Sequence, residues 1–357
     1  MHYSLKIALL ASGLGLTGCT VIICTPRAGC DRIVNLPPAQ GYAGRIILPP
    51  PVGEFPPPFH PPIDKPLKTG PDTSRPYRDA LKTIDQSSGY VGPGDLVPGA
   101  TAYYGLRAYD AAYARSGTGK AIEIRRAKDN ALADIVILKS GQLDIDALHG
   151  FCASTACFVA EWYDQSGHGN DISQTLPSQQ PEIVFDGFRK FPIVQFSYDR
   201  STYLSGSFGW VSGNSGWTAQ AAILKVEPTA WYEPILDYGT TMDHESLFAL
   251  VHDDVSYQPA NGIYGTVFSS RTATSAPSSL AFYSDGTTLG GYVNGAEWGQ
   301  PFRDSNIAGD AFNLGGSPAQ SNTWLTAGIG EVILYPTSLP TAKVKALEAS
   351  ERTYYGF

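Results

Sequence analysis

The chain has 357 residues and a net charge of −8, with 43% hydrophobic, 11% aromatic and only 16% charged residues. That acidity argues against a nucleic-acid partner, which needs a basic face to displace phosphate counterions. The 38 Gly, 27 Pro, 20 Tyr and 15 Phe favour short strands joined by turns over long helices.

The N-terminus reads as a targeting segment. Lys6 precedes a short apolar run over 7–16, too short to span a bilayer as a stable helix. Leu16-Thr17-Gly18-Cys19 resembles a bacterial lipobox, so residues 1–18 read as a lipoprotein signal peptide and Cys19 as the lipidated residue. The alternative is an ordinary secretory signal beside an incidental cysteine. The first reading makes the protein exported and membrane-anchored, at the outer membrane or the cell surface. Four cysteines remain, in two close pairs: Cys24 with Cys30, and Cys152 with Cys157. Export would let both persist as disulfides, the alternative being free buried thiols.

Residues 19–36 form a short N-terminal segment in which Val21-Ile22-Ile23 suggests a strand. Residues 37–99 read as a disordered proline-rich stalk. Thirteen of its prolines fall between 37 and 76, favouring extended polyproline II. About forty such residues reach up to ~120 Å.

The domain proper is expected over 100–357. Leu106, Tyr109, Ala112 and Tyr113 fall at helical spacing and stop at Ser116-Gly117. Alternation predicts strands at 121–125 and 133–138. A second short helix is predicted over 143–151, with Asp144 near its positive end. The stretch 151–171 follows, FCASTACFVAEWYDQSGHGND. A strand from Phe158 through Tyr163 leads into a polar glycine turn at 164–171, whose Asp, Ser and Asn side chains bond nearby amides. Its oxygens would also suit calcium, but a self-bonded turn needs no cation, and no metal site or cofactor is expected. Further strands are predicted at 192–196, 219–226, 246–252, 262–269, 279–283, 288–293 and 328–335. Asn294-Gly295 marks a hairpin turn, and a closing helix is predicted over 341–354. Strands do not alternate with long helices, which sets aside a parallel sheet.

The sequence has no nucleophile elbow, P-loop or HExxH motif. His244 and His252 stand too far apart along one strand for a zinc site. Glu233, Asp237, Asp243, Glu245, Asp253 and Asp254 cluster within about twenty residues, beside Trp231, Tyr232, Tyr238 and Phe248. Glycoside hydrolysis needs two facing carboxylates, and aromatic rings stack on sugar faces. Spacing alone favours simply solvated loop acids.

The stretch 151–174 and the preceding Tyr104 to Arg126 resemble the catalytic domain of α-L-arabinofuranosidase B, glycoside hydrolase family 54. The tail, GIGEVILY and a helix ending Tyr354-Tyr355-Gly356, is similar to the close of laminin-G-like, concanavalin-like sandwiches. The resemblance implies an all-β, concanavalin-like or jelly-roll β-sandwich with a few short helices. It implies action on, or binding to, arabinose-containing glycans such as arabinan or arabinoxylan. Three of the family's catalytic features are absent at the matching places. Pro234-Ile235 precede Leu236-Asp237-Tyr238-Gly239 where a vicinal cysteine pair is expected. Pro259-Ala260-Asn261-Gly262 has no Glu for the nucleophile. Gly315-Gly316 is followed by Ser317 in place of the acid/base Asp. Binding is therefore favoured over turnover. The second reading is an active retaining α-L-arabinofuranosidase using relocated carboxylates, Asp237 and Glu245, with Trp231 and Tyr238 as ligand-binding candidates. The third is a non-catalytic structural or adhesion protein of the cell envelope.

Overall fold

The structure is a computed structural model. It describes residues 89–188, 190–225, 232–239, 246–251, 254–259, 267–272, 276–301, 307–318 and 323–357. It also describes the backbone of 20–25 and 29–35; at 225, 232, 246–251, 254–259, 267–272 and 298–301 it likewise describes only the backbone. Residues 1–70 and 71–357 are separate compact units. In the first, β1 (Thr20–Thr25) pairs antiparallel with β2 (Gly29–Asn35), so the Val21-Ile22-Ile23 strand is present. Cys19 and the stretch 37–88 lie outside the described residues, as does the side-chain pairing of Cys24 with Cys30.

The second unit is an antiparallel β-sandwich. Its strands, in chain order, are β3 (Ala102–Gly105), β4 (Gly119–Arg126), β5 (Leu132–Ile137), β6 (Cys157–Trp162), β7 (Ile172–Ser173), β8 (Glu182–Phe188), β9 (Phe191–Gln195), β10 (Leu204–Ser207), β11 (Trp217–Lys225), β12 (Tyr232–Tyr238), β13 (Ser246–Val251), β14 (Asp254–Pro259), β15 (Val267–Thr272), β16 (Ser278–Ser284), β17 (Thr288–Val293), β18 (Ala296–Pro301), β19 (Ala311–Leu314) and β20 (Ala327–Tyr335). One layer runs β18-β17-β16-β11-β20, and the far edge of β20 is shared by β3 and β9. It continues from β9 through β8 and β6 to β4 and β5. The other layer runs β10-β19-β12-β13-β14-β15. The short β7 pairs with both β6 and β10 and so joins the layers. The largest apolar cluster fills the space between them and includes Tyr104, Trp162, Phe196, Leu236, Phe312 and Val332.

The packed body begins before Ala100. The Tyr90 hydroxyl donates to the Ala108 carbonyl at 2.7 Å, and Val97 and Ala100 are buried. After a single-turn helix at Pro93–Leu96, the helix expected around Leu106–Tyr113 is shorter than its apolar spacing suggests, Ala111–Ser116. Asp110 caps it by accepting the Tyr113 amide at 2.7 Å, and Gly117 ends it with a left-handed φ of 63°. Leu106 and Tyr109 instead follow β3, whose four residues are all buried. The second helix, Ile145–Phe151, starts at Asp144, which accepts the Ala147 amide at 2.9 Å. Cys152 and Cys157 are disulfide-bonded across the turn after it. Asn294 and Gly295 adopt φ of 50° and 81°, as the hairpin turn between β17 and β18 requires.

The turn at 164–171 is a structural corner. The Asp164 carboxylate accepts the amides of Tyr103 (2.9 Å), Ser166 (2.8 Å) and Asn170 (3.1 Å) and the Ser166 hydroxyl (2.9 Å). Four donors, three amides and one hydroxyl, occupy its roughly four lone-pair positions. Gln165 adds two bonds, accepting the Tyr109 amide at 3.0 Å and donating to the Gly105 carbonyl at 2.7 Å. The corner therefore ties β6 to β3.

The closing helix, Thr341–Tyr355, lies against β16 and β20. Val344, Leu347 and Tyr355 form part of its buried face, as the 3.6-residue period requires. Glu348 and Glu351 share that face. Beneath them Arg107 forms a two-pronged ion pair with Glu331 at 2.6 and 2.7 Å. Tyr103 (2.9 Å) and Tyr355 (3.2 Å) also donate to Glu331. Glu351 accepts the Ser279 hydroxyl, but its Oε1 and both oxygens of Glu348 make no well-formed hydrogen bond among the described residues. Burial pushes both carboxyls upward, that of Glu348 to about 7 and that of Glu351 well above the usual range. For Glu351 the negative charge of Glu331 adds to the effect of burial.

Candidate functional site

The residues singled out around 231–245 centre on β12. Pro234 is tolerated there because the pairing with β13 slips between Pro234 and Leu236, leaving Ile235 as the extra residue of a bulge. After the bulge the strand resumes its alternation. Leu236 and Tyr238 face the core, and Asp237 is turned the other way, opposite Asn313 of β19.

Asp237 sits in a polar cluster. The Ser317 hydroxyl donates to its Oδ2 at 2.7 Å. Ser317 is held in turn by Thr323: the Ser317 amide donates to the Thr323 carbonyl at 3.1 Å, and the Thr323 hydroxyl to the Ser317 carbonyl at 3.2 Å. Gly315 makes the approach possible. Its φ is 86°, and a Cβ there would meet the Phe196 ring at 2.0 Å. Its amide donates to the Ile235 carbonyl at 2.8 Å, which fixes the 315–317 turn against the β12 bulge. At the other end of β12, buried Glu233 accepts the Thr326 amide at 3.2 Å. Both described acids of β12 are thus tied to the one segment 315–326. Trp324 stands in that segment, covering Gly316 and packing on Tyr203 with ring centroids 5.5 Å apart.

Tyr238 corrects a sequence-based expectation. Its ring is buried against Trp210 and Phe208, and its hydroxyl accepts the Trp210 amide at 2.7 Å while donating to the Phe208 carbonyl at 3.1 Å. It is a core residue with no face to offer a sugar; strand alternation turns Asp237 away from that core cluster, where it and Ser317 are themselves nearly covered, 8% and 1% exposed. Trp231 and Glu245 lie outside the described residues. The sequence reading passed over Thr323, Trp324 and Tyr203. Thr323 and Trp324 lie more than eighty residues beyond Asp237 in the chain and Tyr203 stands just before β10, so no local spacing links them.

Residues 93–186 match the family model for α-L-arabinofuranosidase B, catalytic. Among curated proteins, α-L-arabinofuranosidase B of Aspergillus niger is 29% identical over 222 residues, 60% of this chain and 41% of that protein. An α-L-arabinofuranosidase of Hypocrea jecorina is 36% identical over 92 residues, 24% of this chain and 18% of that one. The chain thus spans about two fifths of the length of the curated relatives with which it aligns most extensively. Among solved structures, an arabinofuranosidase complexed with arabinofuranosyl-α-1,2-xylobiose superposes with a TM-score of 0.56 at 16% identity, covering 73% of this chain and 64% of that one. A family 54 α-L-arabinofuranosidase soaked with a cyclic sulfate inhibitor gives 0.55 at the same identity, covering 73% and 65%. The domain is therefore similar in sequence to the arabinofuranosidase B catalytic domain over its first strands and helices, and its sandwich has the same fold as those enzymes.

Proposed function

We propose that this domain binds arabinofuranosyl-bearing glycans at the face around Asp237, and that it does so as an exported protein lipidated at Cys19. The observation that carries the binding reading is the hydrogen bond from Ser317 to Asp237. By resemblance, Ser317 stands where the family has its acid. A serine hydroxyl does not protonate a leaving group, and loss of general acid help alone costs about 10²–10⁴-fold. Asp237 accepts from that serine, and Glu233 is spent on a backbone amide. This arrangement suits recognition of sugar hydroxyls by a fixed polar cluster. Similarity to proteins named α-L-arabinofuranosidase supports the choice of glycan.

The competing reading is a retaining hydrolase in which Asp237 and Glu245 divide the acid and nucleophile roles. Release of the aryl group from an aryl arabinofuranoside, compared with an Asp237→Asn/Glu245→Gln double variant, separates the two. Absence of turnover together with retention on arabinan or arabinoxylan, weakened by Asp237→Asn, is the expected result. Turnover abolished by the double variant would replace binding by hydrolysis. Labelled fatty acid should enter the wild type and not Cys19→Ser; equal labelling of both would remove the lipid anchor from the proposal.

A further inference from the structure

On an acidic protein, one face of the sandwich brings together two arginines that share a single acid, Glu182 beside Arg200. Arg125 of β4 stands opposite Phe158 of β6, and Phe158 stands opposite Glu182 of β8. The Arg125 guanidinium lies 4.9 Å from the centroid of the Phe158 ring and that of Arg200 lies 4.5 Å from it. Two like charges are therefore held around one ring. Arg125 is only 8% exposed. Its bonds go to neutral oxygens: the Gln180 side chain at 2.6 Å, the Asn130 side chain at 2.9 Å and the Pro177 carbonyl at 3.1 Å. Arg200 donates to the Gln180 carbonyl at 3.1 Å and has one acid, Glu182, at 3.9 Å, with both side chains partly exposed. No carboxylate pairs with Arg125 among the described residues.

A buried guanidinium without a counter-charge is costly. Burial and the charge of Arg200 both destabilise the charged form of Arg125, and burial does the same to Arg200. Three of the five Arg125 N–H groups are used, which leaves a planar donor set to complete. The surroundings suit a sugar. The Tyr203 amide donates to the Gln179 carbonyl at 3.2 Å, so the half-buried, tilted Tyr203–Trp324 ring pair adjoins the turn that the two arginines grip. Trp324 in turn follows Thr323, which holds Ser317 against Asp237.

We infer that Arg125 and Arg200 form an anion-recognising subsite that takes the carboxylate of a uronic acid residue on a glycan whose neutral sugars lie over Tyr203 and Trp324. Guanidinium forks match carboxylates in geometry and charge, and a bridging carboxylate would supply the missing counter-ion. The inference rests on the glycan-binding reading and specifies which glycans are preferred: arabinose-bearing chains that also carry uronates.

The test compares two polymers, glucuronoarabinoxylan and the same polymer after carboxyl reduction to neutral sugars. Wild-type protein should bind the first about tenfold more tightly, the scale of one charge-assisted contact, and the difference should shrink with salt. Arg200→Gln, at a partly exposed side chain, should abolish the difference while leaving affinity for the reduced polymer and the melting temperature unchanged. Equal wild-type affinity for both polymers would overturn the uronate subsite and leave glycan binding standing. An Arg200→Gln protein that melts earlier yet discriminates normally would make the arginine pair a structural clamp on the 177–180 turn. Absence of binding to either polymer would overturn the glycan reading and this inference with it.

Discussion

Replacing Glu348 by Gln should make the domain more stable at alkaline pH and leave it nearly unchanged in acid. The side chain lies on the buried face of the closing helix, 2% exposed, and its carboxyl makes no well-formed hydrogen bond among the described residues. Burial is the dominant cause of its upward shift. The nearby Gly295 amide and the charges of Arg352 and Lys345 pull it back only in part, leaving the carboxyl at about 7 against an ordinary 4.5. A folded-state value above the unfolded one means the native state holds the proton longer. Stability is therefore complete below pH 4.5 and falls as pH rises through 7. The difference amounts to about 3 kcal/mol once both states are ionised, or roughly 6–12 °C in Tm for a domain of this size. Glutamine keeps the shape and cannot ionise. Thermal or urea unfolding of both proteins from pH 4 to pH 8.5 reads the effect as a difference, so that contributions of other carboxyls cancel. Neighbouring Glu351, which faces Ser279, Gln220, Glu331 and Arg107, shifts in the same direction; Glu351→Gln should add to the effect. Stability curves that run parallel across this range would refute the reasoning.

Removing Arg107 strands Glu331 in the interior. Arg107→Met should cost about 3–5 kcal/mol in chemical unfolding, and adding Glu331→Gln should recover much of the loss; an additive double variant would deny the coupling. Asp164→Ala removes the acceptor for three amides and a hydroxyl and should cost at least about 3 kcal/mol. Glycan affinity of the folded fraction should stay intact, and lost affinity at normal stability would make the corner part of the site. Cys152→Ser opens a loop of sequence separation 5 and should cost about 2 kcal/mol, seen as a lower urea midpoint at unchanged m-value.

Much of the fold was legible because strand alternation and turn chemistry are local. The prediction for 288–293 coincides with β17, and the Asn-Gly signal stands at the turn that follows. What escaped was decided by tertiary context. β3 is buried on both faces, so it shows no alternation, and the helical spacing of Leu106 and Tyr109 masked it. No strand is predicted over 232–238, and Pro234 is accommodated in β12 by a bulge that local pattern does not show. Glu348 and Glu351 carry the ordinary signature of a solvent-facing helix side, yet they point inward. At the candidate site Asp237 was visible as an acid among aromatics. Its partner Ser317 stands eighty residues away, and the inward turn of Tyr238 depends on a one-residue slip that periodicity does not reveal.

β20 is also a timer. All nine of its residues are buried, and it pairs with β11, β3 and β9. β3 stands near the start of the domain and β20 near its end, so the first strand waits for one of the last to be made. Loops that long must close before their contacts contribute. Until Tyr335 has been synthesised, β3 and β9 each lack a neighbour, and the half-domain they belong to is an unfinished surface. A chain truncated before β20 should therefore fail to fold even though most of its strands are present.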